Sequence, residues 1–444
     1  MQLVAYGAQD IYLTGNPMIT YFKVVYRRHT NFAMESIEQT FSGSPAWGNR
    51  VTALISRNGD LVSGMTLEVT LPNTTTNDRW IPHVGHYLID RMEVEIGGQL
   101  IDRHYSDWLE IWTQLSVPAD KKEGYYKMIG QSPLDPVGQP TGFQLVNDAI
   151  YLPESERKLY IPLQFWFCRN VGLALPLIAL QYHEVKVNLT FNSYANVACS
   201  AANAAATDAA ADLRASLWVD YIYLDTDERR RFAQVSHEYL IEQLQFNGDE
   251  AVAIAATQSA SITLNFNHPV KELVWVYHNT TYVRSGLVNY LTTNGTATDR
   301  NLTALNNAGF AKTLSAIRLE NFVTLGGNYG AAGATITARS PFDTINLQLN
   351  GQDRFARRTA EYFSQVQPNE HHTCIPESPG IHVYSFALKP EEHQPSGTCN
   401  FSRIDNAKLQ LTAKDTLAGV VKVFATNYNV LRVMSGMGGL AYSN

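Results

Sequence analysis

The histidines of this 444-residue chain are the first residues whose spacing suggests chemistry. His83 and His86 stand three residues apart, His104 follows them, and His371 is next to His372. A zinc site needs three or four nitrogen or sulfur ligands that a rigid frame holds in tetrahedral geometry. His83 and His86 lie in a turn beside a proline, with no cysteine near them in the sequence. We therefore expect neither a metal site nor any other cofactor in this chain.

The other patterns that could support catalysis are incomplete. The glycine-rich stretch at 326–333 lacks the Lys-Ser/Thr pair of a phosphate-binding loop, and no helical pattern follows it. Asp220 and Asp225 could act as paired carboxylates only in a common cleft, which their positions in the sequence do not indicate. No Gly-x-Ser-x-Gly nucleophile motif occurs. The sequence thus predicts no catalytic residue, and we expect a protein that is not an enzyme.

The balance of charge limits the partners of this protein. The chain carries 34 basic and 41 acidic side chains, a formal net charge of −7. Nucleic-acid binding needs a basic surface that neutralises phosphates, so this balance predicts no direct nucleic-acid partner. Four cysteines without a C-x-x-C pair predict reduced thiols rather than a disulfide framework. The first residues show no secretory signal, and no apolar run approaches the ~20 residues of a membrane span. We expect a soluble protein made inside a cell.

Alternation of apolar and polar residues is the commonest pattern in the chain. Leu67, Val69 and Leu71 alternate with polar residues over one such segment. Successive side chains of a strand point to opposite faces, so this pattern predicts strands with one buried side. Long helical patterns are scarce, which predicts an all-β architecture with small helical inserts. Three further segments with the same period lie at 185–191, 262–267 and 407–413.

Two segments of the chain repeat one plan. "MEVEIGGQLIDRHYSDWLEIW" runs from Met92 to Trp112, and "INLQLNGQDRFARRTAEYFSQV" runs from Ile345 to Val366. In each, an alternating strand leads to a glycine turn, a glutamine, an Asp-Arg pair and a short helical pattern. Glycine adopts the positive φ of a tight hairpin turn without the penalty that a Cβ brings. The matched residues of these two predicted hairpins are Gly98, Gln99 and Asp102 in the first and Gly351, Gln352 and Asp353 in the second.

The match between the two hairpins makes specific predictions about their surroundings. We expect residues 100–101 to be a local insertion in the first copy, so that Asp102 superposes on Asp353. We also expect the short helices after the hairpins to carry Trp108 and Tyr362, with each ring capping the end of its own sandwich.

The order of the later segments repeats as well. Hairpin, short helix, apolar strand, alternating strand and closing strand follow one another in both halves of the chain. Duplication explains this order better than the alternative, which is the general likeness of all-β sequences to one another. The predicted organisation is an N-terminal arm at 1–20, a first sandwich at 21–227, a linker at 228–240 and a second sandwich at 241–444.

The region of the predicted linker is dense in charge, since residues 225–239 read "DTDERRRFAQVSHEY". Its arginines could form a basic patch for an acidic partner. The neighbouring Asp225, Asp227 and Glu228 favour instead a solvated linker with internal charge pairs. Long loops of a compact sandwich usually carry an interaction surface or a family-specific decoration. We expect three such loops, at 116–156, 198–215 and 285–339.

Several long blocks of the sequence are together specific to one family. They include "LVAYGAQDIYLTGNPMITYFKVVYRRHTNFAMESI", "LALPLIALQYHEVK", "VDYIYLDTDERRRFA", "FALKPEEHQPSGTCNFSRIDNA" and "NYNVLRVMSGMGGLAYSN". In these blocks the chain resembles, from end to end, the major capsid proteins of large icosahedral double-stranded DNA viruses, and most of all the chlorovirus-type proteins of algal viruses. It departs from them in the loops at 116–156 and 285–339, and it lacks the short glycine-rich piece that often precedes "LVAYGAQD".

The resemblance implies a double jelly roll, which is a pair of tandem eight-stranded sandwiches, and a structural role in a viral shell. It implies a homotrimer that forms a capsomer of nearly sixfold outline and tiles an icosahedral face. The implied partners are neighbouring capsomers, minor capsid and penton proteins, and a layer over an internal membrane. The arm at 1–20 is expected to run beneath the jelly rolls and contact the inner partners. The implied location is the virion, after assembly in the host cell cytoplasm.

Two other classes of function remain open from the residues alone. One is a carbohydrate-binding or adhesin-like double sandwich, whose exposed aromatic loops would form the sugar platform. The other is a double-sandwich hydrolase with a site between its two domains. Neither of these requires a trimer, so the oligomeric state separates them from a shell protein.

Six Asn-x-Ser/Thr sequons occur in the chain, and chance alone supplies several of these where Asn and Thr are common. Glycosylation in the cell is not expected without a secretory signal. The resemblance to chlorovirus-type proteins makes glycosyltransferases of viral origin the expected source of any glycans. The candidate acceptors are then Asn279, Asn294, Asn301 and Asn400.

Overall fold

Sixteen strands build two sandwiches that follow one another along the chain. A computed structural model describes residues 7–17, 26, 28–72, 78–80, 83–130, 144–146, 149–151, 157–200, 213–279, 324–326, 337–376, 378, 380–414 and 417–442. The strands of the first sandwich are β1 (Phe32–Gln39), β2 (Arg50–Leu54), β3 (Leu61–Leu71), β4 (Ile89–Ile96), β5 (Gln99–Tyr105), β6 (Arg157–Pro162), β7 (Val185–Phe191) and β8 (Arg214–Leu224). Those of the second are β9 (His237–Ile254), β10 (Ser259–Leu264), β11 (Pro269–Asn279), β12 (Phe342–Leu349), β13 (Gln352–Asp353), β14 (His382–Ser385), β15 (Ala407–Ala413) and β16 (Leu417–Met434).

The two sandwiches have the same strand order. In the first, sheet A1 has the order β1-β8-β3-β6 and sheet B1 the order β2-β7-β4-β5. In the second, sheet A2 has the order β9-β16-β11-β14 and sheet B2 the order β10-β15-β12-β13. The strand order of the second sandwich is therefore that of the first with eight added to each strand number. All neighbouring strands in these sheets are antiparallel. The all-β double jelly roll is confirmed, and the sandwiches are called the first and second jelly rolls below.

Short helices and strands lie in the connections between the jelly-roll strands. The helices are α1 (Ile11–Thr14), α2 (Val84–Leu88), α3 (Ser106–Ser116), α4 (Ala119–Ile129), α5 (Trp166–Arg169), α6 (Tyr194–Val197), α7 (Thr226–Gln234) and α8 (Gln367–His371), with a π-helical turn at Tyr362–Val366 and 3-10 turns at Val171–Leu173 and Phe401–Arg403. The additional strands are Phe41–Ser42, Asp78–Trp80, Gln144–Val146, Ala149–Tyr151, Leu175–Pro176, Ala198–Ser200, Thr324–Gly326, Thr337–Arg339, Arg358–Thr359, Cys399–Asn400 and Met437–Leu440.

Each jelly roll buries an apolar core of its own, because alternate side chains of its strands point inward. Leu67 of β3 and Val187 of β7 belong to the buried cluster of the first jelly roll. Trp275 of β11 and Leu409 of β15 belong to that of the second. Burial of one such side chain is worth about 1.5–3 kcal/mol, so the alternation read from the sequence is what holds the two sheets of each sandwich together.

Both repeated segments form hairpins with the same two-residue turn. The turn of the first hairpin is Gly97-Gly98, with φ angles of 59° and 82°. The turn of the second is Asn350-Gly351, with φ angles of 51° and 79°. Positive φ at both central residues is the geometry that suits the right-handed twist of paired strands. The strand residues that flank these turns pair as Ile96 with Gln99 and Leu349 with Gln352.

The expected superposition of Asp102 on Asp353 is not what the strand registers give. In the first hairpin Glu95 pairs with Leu100 and Val94 pairs with Asp102, so Ile101 is the extra residue of a β-bulge. In the second hairpin Asp353 pairs with Gln348, the residue directly before Leu349. Asp353 therefore takes the place of Leu100. The Asp-Arg pair that both hairpins share predicts the wrong correspondence, because a β-bulge shifts the strand register and cannot be recognised from the residue types.

The two hairpins return to a common register further along. Met92 lies four residues before Ile96 and pairs with His104. Likewise, Ile345 lies four residues before Leu349 and pairs with Arg358. A helical segment then begins two residues later in each copy, at Ser106 and at Ala360. By this count, Trp108 and Tyr362 occupy the same place in the two jelly rolls.

The predicted linker at 228–240 is largely helical. Helix α7 covers Thr226–Gln234, and β9 begins at His237. The side chain of Asp225 accepts the backbone N–H of Thr226 and caps the helix, which suits a carboxylate at a positive helix end. Arg229 forms an ion pair with Asp60 of the first jelly roll at 3.0 Å, rather than with the acidic residues of its own segment. Helix α7 is exposed along most of its length, as expected for a solvated segment.

We expect Gly98→Ala and Gly351→Ala each to lower the free energy of unfolding by about 1–2 kcal/mol. No heavy atom lies within 4 Å of the place that a Cβ would take at either residue, so the cost is backbone strain alone. Gly124→Ala is the matched control, because Gly124 is helical and equally open, and alanine there should stabilise by about 0.5–1 kcal/mol. Denaturant unfolding measures all three. Equal effects at the three glycines would contradict the strained-turn geometry.

Candidate functional site

Helix α3 of the first jelly roll packs against the second jelly roll. Its apolar residues at positions i, i+3, i+4 and i+7 are called the first stripe: Trp108, Ile111, Trp112 and Leu115. All four are at most 4 % exposed, and they share one buried cluster with residues of sheet A2. The ring centroids of Trp108 and Phe424 are 5.7 Å apart. The residues of the second jelly roll in this cluster are Val274, Val276, Ile381, Val383 and Phe424.

The expectation that Trp108 caps its own sandwich is therefore wrong. The next residue, Leu109, belongs to the core of the first jelly roll, whereas Trp108 lies on the opposite side of the helix against sheet A2. Apolar residues on both sides of α3 allow it to bury two surfaces at once. Tyr362 behaves as expected, since it packs against the core of its own second jelly roll.

A pair of ionic contacts surrounds the start of α3. Asp107 accepts a hydrogen bond from Lys422 at 2.7 Å, and His278 lies 3.4 Å from the same carboxylate. Burial alone would raise the pKa of Asp107, but the charges of His278 and Lys422 outweigh it and hold that pKa well below its usual range. Asp107 is thus a buried anion of the first jelly roll that is neutralised by residues of the second.

A second ionic group joins the jelly rolls at the other end of the first stripe. Arg169 of α5 stacks over the ring of Trp112 at 4.4 Å and contacts Glu242 of β9 at 3.2 Å. The second carboxylate oxygen of Glu242 binds Lys271 at 2.8 Å, and Lys271 also donates to the carbonyl of Pro390. Burial lowers the pKa of Lys271, although Glu242 and Glu272 oppose this effect. Removal of one member of such a buried group costs roughly 3–5 kcal/mol, because it leaves an unpaired charge.

Direct hydrogen bonds add directional contacts between the jelly rolls. Asp102 accepts the backbone N–H of Leu244 at 3.1 Å, and Gln114 accepts that of Ser378 at 3.1 Å. The backbone N–H of Cys374 donates to the carbonyl of Leu115 at 2.9 Å. Asp102, singled out as part of a hairpin repeat, is thus a residue of the junction.

The other matched residues of the two hairpins make different contacts, although their residue types agree. Gln99 accepts the backbone N–H of Leu440 at 3.4 Å, from the C-terminal strand that folds back onto the first jelly roll. Gln352 is exposed. Asp353 accepts hydrogen bonds from the side-chain amides of Asn346 and Gln348, which lower its pKa. The hairpin turns correspond in geometry, while the side chains after them serve different contacts.

The histidines with suggestive spacing are parts of closed polar groups. His83 and His86 lie 2.9 and 2.7 Å from the two carboxylate oxygens of Glu110, and all three residues are buried. Among the residues that the structure describes, no cluster of three or more His, Cys, Asp or Glu has the arrangement of a metal site. Ser340 and His382 form a hydrogen bond of 2.8 Å that resembles a nucleophile and its base, but both are enclosed in the second jelly roll.

The structure places the candidate acidic pair on separate elements and describes two of the candidate glycan acceptors. Asp220 lies on β8 and Asp225 caps α7. Asn279 ends β11, where its backbone pairs with Gly419. Asn400 is exposed, and its side chain accepts the backbone N–H of Ser402 at 3.1 Å. Asn294 and Asn301 lie outside the described residues. No described helix has the length and apolar content that crossing a membrane requires.

His372 is held between two carboxylates in the second jelly roll. It lies 3.1 Å from Glu272 and 2.9 Å from Glu391, and its side chain is fully enclosed. Burial alone would lower the pKa of His372, but Glu272 and Glu391 outweigh burial and raise it to about 9. Sequence reasoning treated the adjacent His371 and His372 only as poor metal ligands. The one available signal was the charged pair Lys271-Glu272 inside an otherwise apolar strand, which demanded buried counter-charges.

Comparisons with known proteins agree over the whole chain. Residues 20–225 match the family described as the major capsid protein N-terminus, and residues 228–439 match the large eukaryotic DNA virus major capsid protein. The major capsid protein of Pyramimonas orientalis virus is 50 % identical, over 100 % of this chain and 99 % of its own. That of Paramecium bursaria Chlorella virus 1 is 44 % identical with the same coverage.

Solved structures give the same result for the fold. The crystal structure of PBCV-1 VP54, fitted into a reconstruction of the virophage Sputnik, superposes with a TM-score of 0.74 at 40 % identity. It covers 96 % of this chain and 100 % of the solved chain. The Faustovirus major capsid protein has a TM-score of 0.67 at 13 % identity, over 97 % and 94 % of the two chains, and supports the fold alone.

We expect Trp108→Ala to lower the free energy of unfolding by about 3–5 kcal/mol. In a double-mutant cycle with Phe424→Ala, the two rings should couple by about 0.5–1.5 kcal/mol, because they contact across the junction. In the control cycle, Trp275→Ala takes the place of Phe424→Ala, since Trp275 is also buried but lies in the core of the second jelly roll. Calorimetric or denaturant unfolding supplies the values. Additive effects of Trp108 and Phe424 would count against this contact.

We expect His372→Gln to remove one source of pH dependence from the stability. The folded pKa of about 9 is above the ordinary value of 6.5, so the stabilisation by protonated His372 is complete below about pH 6.5. It is lost as the pH rises through about 9. The wild-type protein should therefore lose more stability than His372→Gln between pH 6.5 and 9. His29→Gln, at an exposed histidine, is the control, and identical slopes for wild type and His372→Gln would refute the assignment.

Proposed function

Because this chain belongs to the family of major capsid proteins of large eukaryotic DNA viruses and is a component of a capsid shell, we propose that three copies associate into one capsomer of nearly sixfold outline. Such homotrimers would tile the flat faces of an icosahedral capsid. The observation that carries the proposal is the internal repeat: two jelly rolls with one strand order, joined by a buried junction.

The junction matters because it makes the two jelly rolls a single building block. Hydrophobic burial alone is non-directional, but the ion pairs of Asp107 and Glu242 and the hydrogen bond of Asp102 also fix orientation. Each chain then presents two similar blocks at a set angle. Three chains present six blocks, which gives a threefold assembly a nearly hexagonal outline and allows close packing on a plane.

A structural role without catalysis follows the same evidence. The alternative of a hydrolase with a site between its domains requires a cleft where the first stripe instead fills the space with Trp108 and Trp112. The Ser340–His382 pair has the residue types of a nucleophile and base but is closed to substrate. A carbohydrate-binding sandwich has no specific support among the described residues. We therefore assign no catalytic residue and no cofactor.

The proposed partners follow from the surface of the shell protein. The arm at 1–20 contains α1, whose Ile11, Tyr12 and Leu13 are 70, 90 and 83 % exposed. Apolar side chains this exposed favour burial against another protein. We assign the arm to minor capsid proteins, or to the layer over an internal membrane, on the inner side of the shell. Neighbouring capsomers and penton proteins would complete the contacts in the virion, after assembly in the host cytoplasm, with no direct nucleic-acid binding.

Size-exclusion chromatography with light scattering tests the capsomer. The purified protein should have three times the 49.5 kDa mass of the chain, and electron micrographs of it should show particles of hexagonal outline. A variant that lacks residues 1–20 should keep the same mass but assemble into shells less completely, since the arm serves contacts beyond the trimer. A protein that stays monomeric at micromolar concentration would refute the trimer, and full shell assembly by the truncated chain would refute the role of the arm.

We also propose that glycans on the outer surface are carried by Asn279, Asn294, Asn301 or Asn400. Asn400 is the one among them whose exposed side chain lies in the described part of the chain. Protein from virions should then exceed the 49.5 kDa of the bare chain in intact mass spectrometry. An Asn400→Gln variant made in the same host should lose one glycan mass, with Asn188→Gln as control, because Asn188 is buried on β7. An intact mass equal to that of the bare chain would remove the proposal.

A further inference from the structure

At the position of helix α3, the second jelly roll has a helical segment made of the π-helical turn Tyr362–Val366 and helix α8, and several of its side chains are exposed in the described part of the chain. Two residues after the equivalent strand positions His104 and Arg358, helical backbone begins in both jelly rolls. The same offsets that define the first stripe then give the second stripe: Tyr362, Gln365, Val366 and Asn369. Gln365, Val366 and Asn369 are exposed, Val366 by 41 %, and Tyr362 is half-buried. The first stripe, by contrast, is fully buried against its neighbour.

The opposite sides of the two helices confirm the correspondence. Leu109, which follows Trp108, packs into the core of the first jelly roll. Phe363, which follows Tyr362, packs into the core of the second. Both helical segments are therefore held on their own jelly roll by the same position. In the first jelly roll the stripe meets sheet A2. In the second, Gln365, Val366 and Asn369 are exposed, whereas Tyr362 is half-buried against the core of its own jelly roll.

The outer face of sheet A1 is the matching surface, where, among the residues that the structure describes, Glu38 is exposed and Trp218 is part-exposed. On sheet A2, Phe424 of β16 pairs with Val274 of β11 at the centre of the junction. On sheet A1 the same place belongs to Trp218 of β8, which pairs with Thr66 of β3. Val274 and Thr66 are each the sixth residue of their strand, which fixes the correspondence. Trp218 is part-exposed, and its indole N–H has no hydrogen-bond acceptor among the described residues.

We infer that the second stripe of one copy packs on the Trp218 face of the next copy, with Tyr362 over Trp218 as Trp108 lies over Phe424. This contact rests on the proposed trimer and assigns the surfaces that form it. The occupant is a second copy of this chain because the chain itself shows the helix-on-sheet contact once, complete, and its described residues leave one further helical stripe and one further sheet face partly exposed. These partners lie on different jelly rolls, so the contact joins copies head to tail.

Charge on the two surfaces supports the same pairing. Arg357 and Arg358 precede the second stripe, both are exposed, and neither forms an ion pair with another described residue. The Arg358 guanidinium lies 4.2 Å over the ring of Tyr362. Around Trp218, sheet A1 presents Glu38 directly beside it and Asp220 two residues along β8. Arginines at the stripe and carboxylates at the face give the complementarity that a specific contact between copies needs.

The composition of the two stripes accounts for their different tasks. The first stripe has two tryptophans and two aliphatic residues and forms a permanent contact within one chain. The second stripe has one tyrosine, one valine and two amides, so less apolar area is lost to water when it is left uncovered. In the proposed trimer, this contact repeats the intrachain helix-on-sheet geometry between copies.

Single substitutions on both surfaces test the contact. Val366→Asp and Trp218→Ala should each raise the midpoint concentration for dissociation of the trimer by about tenfold or more, because both remove a central interface residue. Leu388→Asp and Tyr182→Ala are matched controls, since both residues are apolar and more than 70 % exposed elsewhere. The controls should keep the wild-type midpoint, and all four variants should unfold as the wild type does when they are monomeric.

A disulfide between copies gives a second and independent readout. The double variant Tyr362→Cys, Trp218→Cys should form an oxidised ladder on a non-reducing gel that ends at three chains. Each single variant should lack the ladder. The contact would be overturned if the wild type is a trimer, the double variant forms no ladder and Val366→Asp does not weaken the trimer. The trimer would then be held together by other surfaces. A wild-type protein without a trimer would overturn both proposals.

Discussion

The burial of one helix stripe between two domains is the interaction on which the rest of this structure depends. Each fully buried side chain of the stripe contributes about 1.5–3 kcal/mol by leaving water. Four such residues from α3, with Trp108 and Trp112 among them, therefore supply a contact comparable to the whole net stability of a domain. This contact joins two jelly rolls that each have a core of their own. The buried charges of Asp107 and Glu242 then set its angle, because ion pairs are directional where apolar contact is not.

Duplication explains why such a stripe was available. Both jelly rolls place a helix after the fifth strand, and both anchor it by one residue in their own core, Leu109 or Phe363. The exposed side of that helix is then free to change without loss of the sandwich. In the first copy that side is apolar and closes the junction, whereas in the second it is mixed. The result is a chain with two similar jelly rolls and one buried junction between them. Such a chain suits a shell protein that must contact copies of itself.

The buried polar groups serve structure in the same sense. His83 and His86 on Glu110, His372 between Glu272 and Glu391, and the Ser340–His382 pair all have residue types that recur in catalytic sites. Each of these groups is largely enclosed, and its members are paired with one another within the fold. A charge inside a protein is tolerated only where a partner is held in position, so these groups select one packing of their loops over others. Residue types indicate possible chemistry, and only solvent access decides whether it is used.

The sequence by itself determined the strands, the all-β class and the turn glycines, because these follow from local rules, whereas the double jelly roll followed from the family resemblance. Alternation of period two places side chains on two faces, and positive φ favours Gly98 and Gly351 wherever a tight hairpin occurs. The family resemblance was also legible in the residues. The tertiary structure alone decided the register of Asp102 against Asp353, which a bulge at Ile101 shifted, and the helical form of the charged segment at α7. It also decided the direction of Trp108. A helix with apolar residues on two sides can bury both, but the sequence does not say which partner covers each side, since that choice depends on contacts more than a hundred residues apart in the chain.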